Sequence, residues 1–289
     1  MASVIDLHIH TTASDGSDSP LELLDQLRAA GIRVFSVTDH DTIDGALALQ
    51  GQIPGDMTFL RGVEFSCISP AGKCHILGYG YDPEHPALLA ALEAGRQLRQ
   101  EKMARRLRQL REDFGIELTE EELAWLQSRT SPGKPHLGRI LAAREPGLSL
   151  NGAIKTYIRD VPGRDRIGTD TAISAIAAAG GVSVWAHPLG GEGEKRLTRE
   201  KFEGLLRDLL DSGLQGMECW YSRYSMEEIR FLESRARELG LIITGGSDYH
   251  GTSKQNLSLG QLNAEGVAWD NYTESVSRLR TDAFRGCFT

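Results

Sequence analysis

Seven short apolar runs in this 289-residue chain have the composition of buried β-strands, and histidines or carboxylates flank most of them. The runs cover residues 4–8, 34–40, 59–64, 75–79, 181–187, 216–220 and 241–248. Helical patterns over residues 20–30, 169–179, 199–210 and 225–239 separate most of the runs, which favours parallel pairing in βα units. The carboxyl ends of the strands of a parallel barrel meet at one face, so the polar residues that end these runs are predicted to converge.

The length fits a single α/β barrel of roughly 250 residues with one insertion. Between about residues 86 and 166 the alternation stops, and the sequence becomes helical and rich in arginine. We therefore predict a barrel whose first part covers residues 1–96 and whose second part covers residues 166–289. Residues 97–165 are predicted to form a helical insertion that determines substrate specificity.

The composition argues against several classes of protein. The 32 basic and 40 acidic residues give a net charge of −8, which argues against the broad basic surface that binding to duplex DNA requires. The longest apolar stretch is short and contains two glycines, and the N-terminal residues do not form a secretory signal, so we expect no membrane span and a cytoplasmic location. Four cysteines without CxxC spacing argue against a disulfide framework and a thiolate zinc site. The oligomeric state is not predicted.

His8 and His10 stand at the end of the first run with one residue between them. Alternate residues of a strand point to the same side, so both imidazoles can reach one metal ion. Two unconnected histidines would give the same pattern, and Asp15 in its Ser-Asp-Gly turn equally fits a turn and helix-capping residue. Taken singly, none of these residues establishes a metal site.

The evidence for a metal site becomes stronger because ligand-type residues accompany the other runs as well. They are His40, Glu64, His75, His187, Asp248 and His250. Packing does not predict six of eight histidines at strand ends, although an ion pair with Arg61 would also explain Glu64. A mixed nitrogen and oxygen set favours Mn²⁺, Zn²⁺ or Fe²⁺ over Ca²⁺ or Mg²⁺, and nine ligands can serve three ions.

These motifs resemble the PHP family, named for polymerase and histidinol phosphatase, whose members are metal-dependent phosphoesterases on a distorted (β/α)₇ barrel. The segments that carry the resemblance are residues 6–10, 14–16, 38–41, 62–66, 74–79, 185–188 and 246–251. By position, the resemblance implies one ion at His8, His10, Glu64 and Asp248, a second at Asp15, His40 and His250, and a third at Glu64, His75 and His187. Mn²⁺ is the ion we expect first.

A helical insertion before a strand ending in Ala-His-Pro is similar to the branch containing 3′,5′-nucleoside bisphosphate phosphatases and 5′-to-3′ exoribonucleases of short RNAs. The resemblance implies that metal-activated hydroxide attacks the 3′-phosphate of adenosine 3′,5′-bisphosphate and gives AMP. The residues expected to hold this hydroxide through the metals are His8, His10, Asp15, Glu64 and Asp248. We expect Lys134, His136 and Arg139, which lie at a helix start, to bind the remote 5′-phosphate.

Other functions stay open at this point. Trimming of short 5′-phosphorylated RNA would use the same phosphate pocket. Histidinol phosphate carries a cationic amine, which Lys134 and Arg139 disfavour. An amidohydrolase would normally need a carboxylated lysine at a strand end, and none of the seven runs supplies one. A non-catalytic module that binds metal or phosphate is the most distant alternative.

Overall fold

The computed structural model describes residues 3–191, 195–254 and 256–279. Its strands are β1 (Ile5–Asp6), β2 (Val34–Val37), β3 (Thr58–Ser69), β4 (Gly72–Tyr79), β5 (Ile167–Gly168), β6 (Val182–Trp185), β7 (Gly216–Tyr221) and β8 (Ile242–Gly246). Its helices are α1 (Pro20–Ala29), α2 (Asp44–Ala48), α3 (Pro86–Phe114), α4 (Glu120–Gln127), α5 (Lys134–Arg144), α6 (Leu150–Tyr157), α7 (Thr169–Ala178), α8 (Arg199–Asp211), α9 (Met226–Glu238) and α10 (Thr273–Leu279), and Gly251–Ser253 forms a 3₁₀ helix. Each predicted run overlaps one strand, whereas the two-residue β5 was not predicted.

Seven strands follow one another around a barrel-like sheet in the order β1, β2, β3, β4, β6, β7 and β8, and β5 pairs with β3 outside this path. The sheet nearly closes between its first and last strands, because the Leu7 N–H donates to Gly245 O at 3.1 Å and Ile9 forms a bridge with Tyr249. Glycine is required at position 246, since a Cβ there would lie 2.1 Å from His8 Cβ. The predicted α/β barrel is confirmed.

β4 departs from the predicted parallel pairing. It is antiparallel to both β3 and β6, whereas the other neighbouring pairs are parallel. A tight turn between Ser69 and Gly72 joins β3 to β4, so no crossover helix separates the two strands. Ser66 lies opposite His75 in this hairpin. The reversal therefore brings His75, near the start of its strand, to the same end of the barrel as Glu64.

α3 connects the barrel to a second apolar cluster. Leu88 and Leu92, in its first turns, pack into the barrel core, whereas Met103 and Leu110 pack with residues of α4, α5 and α6. The predicted boundary at residue 97 falls between these two groups of side chains. The division into segments stays a prediction, and residues 280–289 of its last segment lie outside the described residues.

Capping residues define where the helices begin. Ser19 accepts from the Glu22 N–H and precedes Pro20, so α1 begins with a capping box and a proline in its first turn. Ser225 and Glu228 form the same box at the start of α9. Regular helices of this kind bring each chain segment back to the amino end of the next parallel strand, which leaves the loops after the strands free to form a site.

Three of the four cysteines lie in the described part of the chain, and all three are free thiols. Cys67 and Cys74 lie opposite each other in the β3–β4 hairpin, and Cys219 is buried in β7. Cys287 lies outside the described residues. Within the described ranges, none of the helices combines the length and apolar character needed to cross a membrane.

Candidate metal centre

Glu64 lies in the middle of the side chains that gather at the carboxyl ends of the strands. Its buried Oε2 atom is 2.9 Å from His40 Nδ1, and it is 3.2 Å from His10 Nε2 and 3.4 Å from His8 Nε2. Asp248 Oδ1 faces two of the same rings, at 3.4 Å from His10 Nε2 and 3.7 Å from His8 Nε2. The structure thus brings together the four residues that the family resemblance assigns to one ion.

The other oxygen of Glu64 faces a different pair of histidines. Its Oε1 atom lies 3.2 Å from both His75 Nδ1 and His187 Nε2, and these two ring nitrogens are 3.2 Å apart. Each oxygen of Glu64 therefore faces a different group of rings.

A third group forms around Asp15. Its Oδ1 atom lies 3.3 Å from His250 Nε2, and its Oδ2 atom lies 4.0 Å from His40 Nε2. Ligand atoms of His10, Asp15, His40 and His250 all lie within 4.8 Å of one another. All nine residues predicted as ligands therefore lie in one continuous cluster, in which His10 and His40 border two groups each.

The unsatisfied polar atoms of this cluster test whether it suits a metal. Buried polar atoms in proteins almost always have a hydrogen-bonding partner. Among the described residues, five atoms of the cluster are buried without one: His8 Nε2, His10 Nε2, His40 Nδ1, Glu64 Oε2 and His250 Nε2. Imidazole nitrogens and carboxylate oxygens are the donors that divalent transition metals prefer. The residues present therefore fit divalent cations.

The three carboxylates of the cluster are held in their ionised form. Burial acts to raise the pKa of Asp15, Glu64 and Asp248, but interactions with neighbouring basic side chains hold each pKa well below its usual range. Histidines supply this attraction for Asp15 and Glu64, and Lys254 is the largest contributor for Asp248. The mouth of the barrel therefore offers three ionised carboxylates as ligands for cations.

The histidines of the cluster differ in their affinity for protons. Burial lowers the pKa of His75 to about 3 and that of His250 to about 4, so both rings are neutral at physiological pH. Burial also acts to lower the pKa of His10, but the nearby carboxylates of Asp248 and Glu64 outweigh it and raise the pKa to about 9. A metal ion must therefore displace a proton from His10.

Three residues of the cluster and its border have strained backbones. Asp41, His187 and Asp248 adopt φ angles of 52°, 30° and 57°, in the region that non-glycine residues rarely occupy. His187 and Asp248 are themselves candidate ligands, and Asp41 directly follows the candidate ligand His40. Such strain persists where surrounding contacts force it and is typical of functional sites.

Two side chains that the sequence analysis did not single out orient Asp248. Tyr221 donates a hydrogen bond to Asp248 Oδ2 at 2.9 Å, and Lys254 Nζ donates to the same oxygen at 2.8 Å. The ring of His250 donates from Nδ1 to the main-chain oxygen of Asp248 at 2.7 Å, which leaves its Nε2 lone pair for a metal. These contacts keep Oδ1 of Asp248 directed at the histidines.

Two of the three residues predicted to bind a remote phosphate lie in the first turn of α5. Lys134 Nζ lies 3.3 Å from Asp160, and 39% of its side chain is exposed. His136 is buried, and its Nδ1 accepts a hydrogen bond from the Gly133 N–H at 3.0 Å. Burial lowers the pKa of His136 to about 4, so the ring stays neutral and can keep this acceptor role. Only Lys134 of the two presents a charge to solvent.

Arg139, the third predicted residue, connects α5 to the barrel. Its guanidinium donates to the main-chain oxygen of Gly16 and to the Ser253 hydroxyl. Gly16 directly follows Asp15, and Ser253 belongs to the 3₁₀ helix that follows His250. Arg139 therefore ties the insertion to the two loops that carry the Asp15 group.

Arg99 of α3 makes a second connection between the insertion and the barrel mouth. It donates to the buried carboxylate of Asp41 and, at 2.7 Å, to the Ser66 hydroxyl. Asp41 directly follows the ligand His40, and Ser66 lies two residues after the ligand Glu64. Nothing in the sequence distinguishes Arg99 from the other arginines of the same helix, so sequence reasoning missed it.

The chain is similar to several known phosphoesterases. It is 30% identical over 264 residues to a 3′,5′-nucleoside bisphosphate phosphatase of Chromobacterium violaceum, covering 89% of this chain and 90% of that protein. It is also 30% identical over 264 residues to a 5′-3′ exoribonuclease of Haemophilus influenzae, covering 86% and 91%. A solved structure from Bifidobacterium adolescentis, described as a metal-dependent phosphoesterase, matches with a TM-score of 0.77 at 27% identity over 95% of this chain and 94% of that one. No family model matches the chain.

Proposed function

This chain belongs to the PHP family of metal-dependent phosphoesterases, as its motifs predict, and from this premise we propose that it removes the 3′-phosphate of nucleoside 3′,5′-bisphosphates. Adenosine 3′,5′-bisphosphate and water would give AMP and inorganic phosphate. The bond between phosphorus and the 3′-oxygen breaks, and that oxygen leaves with a proton. The name of the Chromobacterium violaceum relative supports this choice of substrate.

Three divalent cations, with Mn²⁺ ahead of Zn²⁺ and Fe²⁺, are the proposed cofactors, one for each group of ligand atoms around the barrel mouth. Such ions supply an activated water and neutralise charge on the phosphoryl oxygens. Within the chain, Glu64 holds two of the groups at a fixed separation through its two oxygens. Asp15 and Asp248 supply the remaining charge, and His8 and His10 anchor the first group.

The observation that carries the substrate proposal is the position of the first residues of α5. A Cβ at Gly133 would lie 3.8 Å from Asp15 Oδ2 and equally close to a terminal nitrogen of Arg99. Gly133, the N-cap residue of α5 next to Lys134, therefore lies beside a candidate metal ligand. A substrate whose one phosphate lies at the cluster can place a second phosphate against this part of the insertion.

Lys134 is the residue we assign to the second phosphate. Its partner Asp160 is exposed, and exposed ion pairs contribute only about 0–1 kcal/mol, so the ammonium group can exchange Asp160 for a phosphate at little cost. His136 and Arg139 support the same site indirectly. His136 accepts from the Gly133 N–H and Arg139 holds α5 against the barrel, so both keep Lys134 in place.

The Lys134→Ala variant tests this assignment. We expect kcat/KM for adenosine 3′,5′-bisphosphate to fall about 10- to 150-fold, because a charge-assisted hydrogen bond contributes about 1.5–3 kcal/mol. The rate with 3′-AMP, which lacks the 5′-phosphate, should change little. Lys155→Ala removes an exposed lysine from α6 of the same insertion and serves as the control. An unchanged preference for the bisphosphate in Lys134→Ala would refute the assignment.

Exonucleolytic trimming of short 5′-phosphorylated RNA is the second candidate, and the name of the Haemophilus influenzae relative favours it. A pocket for a 5′-phosphate would accept the end of an oligonucleotide as readily as a bisphosphate. Parallel assays with adenosine 3′,5′-bisphosphate and a ladder of 5′-phosphorylated RNAs separate the two. Higher kcat/KM on the ladder would replace phosphatase by exoribonuclease as the main activity.

A further inference from the structure

Glu218 is a fully buried carboxylate in the middle of β7, and its two oxygens bind two different candidate ligands. His8 Nδ1 lies 2.9 Å from Oε1, and the main-chain N–H of His187 donates to Oε2 at 2.7 Å. The register between β7 and β8 shifts between Glu218 and Trp220, and a bulge of this kind re-aims a side chain. The motifs that suggested the family do not include this residue.

The chemistry of a carboxylate determines which protons these contacts need. An ionised carboxylate only accepts hydrogen bonds, so both of its partners must donate. The His187 N–H is always a donor, and His8 must therefore carry a proton on Nδ1. The lone pair that His8 can offer to a metal is then the one on Nε2, which lies 3.4 Å from Glu64 Oε2 and 3.7 Å from Asp248 Oδ1. His8 Nε2 has no hydrogen-bonding partner among the described residues.

We propose that Glu218 is a positioning residue of the metal centre, which fixes His8 in the tautomer whose Nε2 can bind a metal and fixes the main chain of His187. His187 has a φ of 30°, and the hydrogen bond from its N–H holds the end of β6 in this strained conformation. Glu218 thus orients one ligand from each of two predicted ion sites without touching an ion. The proposal depends on the proposed role of His8 as a metal ligand.

The Glu218→Gln variant separates positioning from packing, because glutamine has nearly the same shape but only one acceptor. If the amide oxygen keeps the His187 N–H, the amide NH₂ faces His8 Nδ1 and forces the ring proton onto Nε2. If the amide group is rotated by 180°, its NH₂ group faces the His187 N–H instead, and two donors then face each other. Either arrangement disturbs a ligand, so we expect the Kd for Mn²⁺, titrated calorimetrically into chelator-treated protein, to rise about 10- to 100-fold.

Two further variants complete the experiment. Glu218→Asp keeps an acceptor-only carboxylate and should retain tighter Mn²⁺ binding than Glu218→Gln. Glu233→Gln is the matched control, because Glu233 also accepts from a ring N–H, that of Trp220 at 2.8 Å, but in the described part of the chain it forms no hydrogen bond or ion pair with a candidate ligand. Its Kd for Mn²⁺ should equal that of the wild type. Glu218→Gln binding Mn²⁺ as tightly as Glu233→Gln would overturn the proposal.

A spectroscopic measurement of the His8 tautomer in the wild-type protein tests the proposal even if Glu218→Gln does not fold. In Zn²⁺-loaded protein with ¹⁵N-labelled histidine, the His8 ring should carry its proton on Nδ1, and a proton on Nε2 would contradict the proposal. His8→Ala tests the underlying assignment separately. Unchanged metal content in His8→Ala would remove His8 from the ligand set, whereas loss of metal there with normal binding in Glu218→Gln would remove only Glu218.

Discussion

The charged side chains of the barrel mouth and those of the helical insertion differ in how they are paired. At the mouth, three ionised carboxylates stand among six histidines, and five ligand atoms have no partner among the described residues. In the insertion, Lys102 pairs with Asp165, Lys134 with Asp160, and Arg144 with Glu122. The mouth therefore offers unpartnered ligand atoms to cations, whereas these charged side chains of the insertion form ion pairs with one another, and the insertion contributes mainly a fixed position beside the mouth.

This difference implies a division of labour between the two regions. Six of the seven strands around the barrel, or the loops that follow them, contribute ligands to one cluster, so removing a single central residue affects several groups of ligands at once. The insertion reaches the mouth through few contacts, chiefly those of Arg99 and Arg139 with the barrel loops. Substitutions at the mouth should therefore abolish the reaction, and substitutions in the insertion should change which substrate is preferred.

The largest effect is expected from Glu64→Ala. Glu64 faces five histidines, so its removal deletes the bridge between two groups of ligands. We expect kcat to fall by at least about 10³-fold, and metal content measured by inductively coupled plasma mass spectrometry to fall with it. Glu93→Ala, which removes an exposed carboxylate from α3, should keep both within about twofold of wild type. Full activity of Glu64→Ala would end the bridging proposal and with it the contrast between mouth and insertion.

The same contrast explains what could be predicted from the sequence. His40, Glu64 and His187 follow directly from the rule that strand ends meet at one face, and this rule holds whatever the details of packing. Glu218 lies inside a strand, and the free-energy cost of burying a carboxylate there was the only indication that it has a function at the site. Arg99 could not be identified from the sequence, because which arginine of a long helix reaches the barrel depends on how that helix packs. The antiparallel β4 was not predicted either, since the direction of a strand follows from the turn before it.

Metal removal should produce the next largest effect, confined to the mouth. Ions that bind only the folded state stabilise it by about 2.7 kcal/mol at a hundredfold excess over Kd. After chelation, residues 8–16, 38–42, 62–66 and 246–251 should exchange amide hydrogens up to about 100-fold faster, as measured by mass spectrometry. Residues 103–110 and 137–141, in the separate apolar cluster of the insertion, should exchange as before. Equal acceleration in both regions would mean that they unfold as one unit.

The smallest effect concerns His136 and acid, and it belongs to the insertion alone. Burial lowers the pKa of His136 to about 4 in the folded state, while the unfolded chain has the ordinary value near 6.5. Between these values the unfolded state binds a proton that the folded state does not, so the free energy of unfolding falls as pH falls from 6.5 to 4, by on the order of 2 kcal/mol. His136→Gln keeps an acceptor for the Gly133 N–H and does not titrate, so its urea-unfolding free energy should decline less over this range. Both proteins are compared free of metal, so that the carboxylates and histidines of the mouth titrate alike in each. Parallel curves would show that the ring is protonated in the fold, and that the first turn of α5 is held by Arg139 and the packing around it instead.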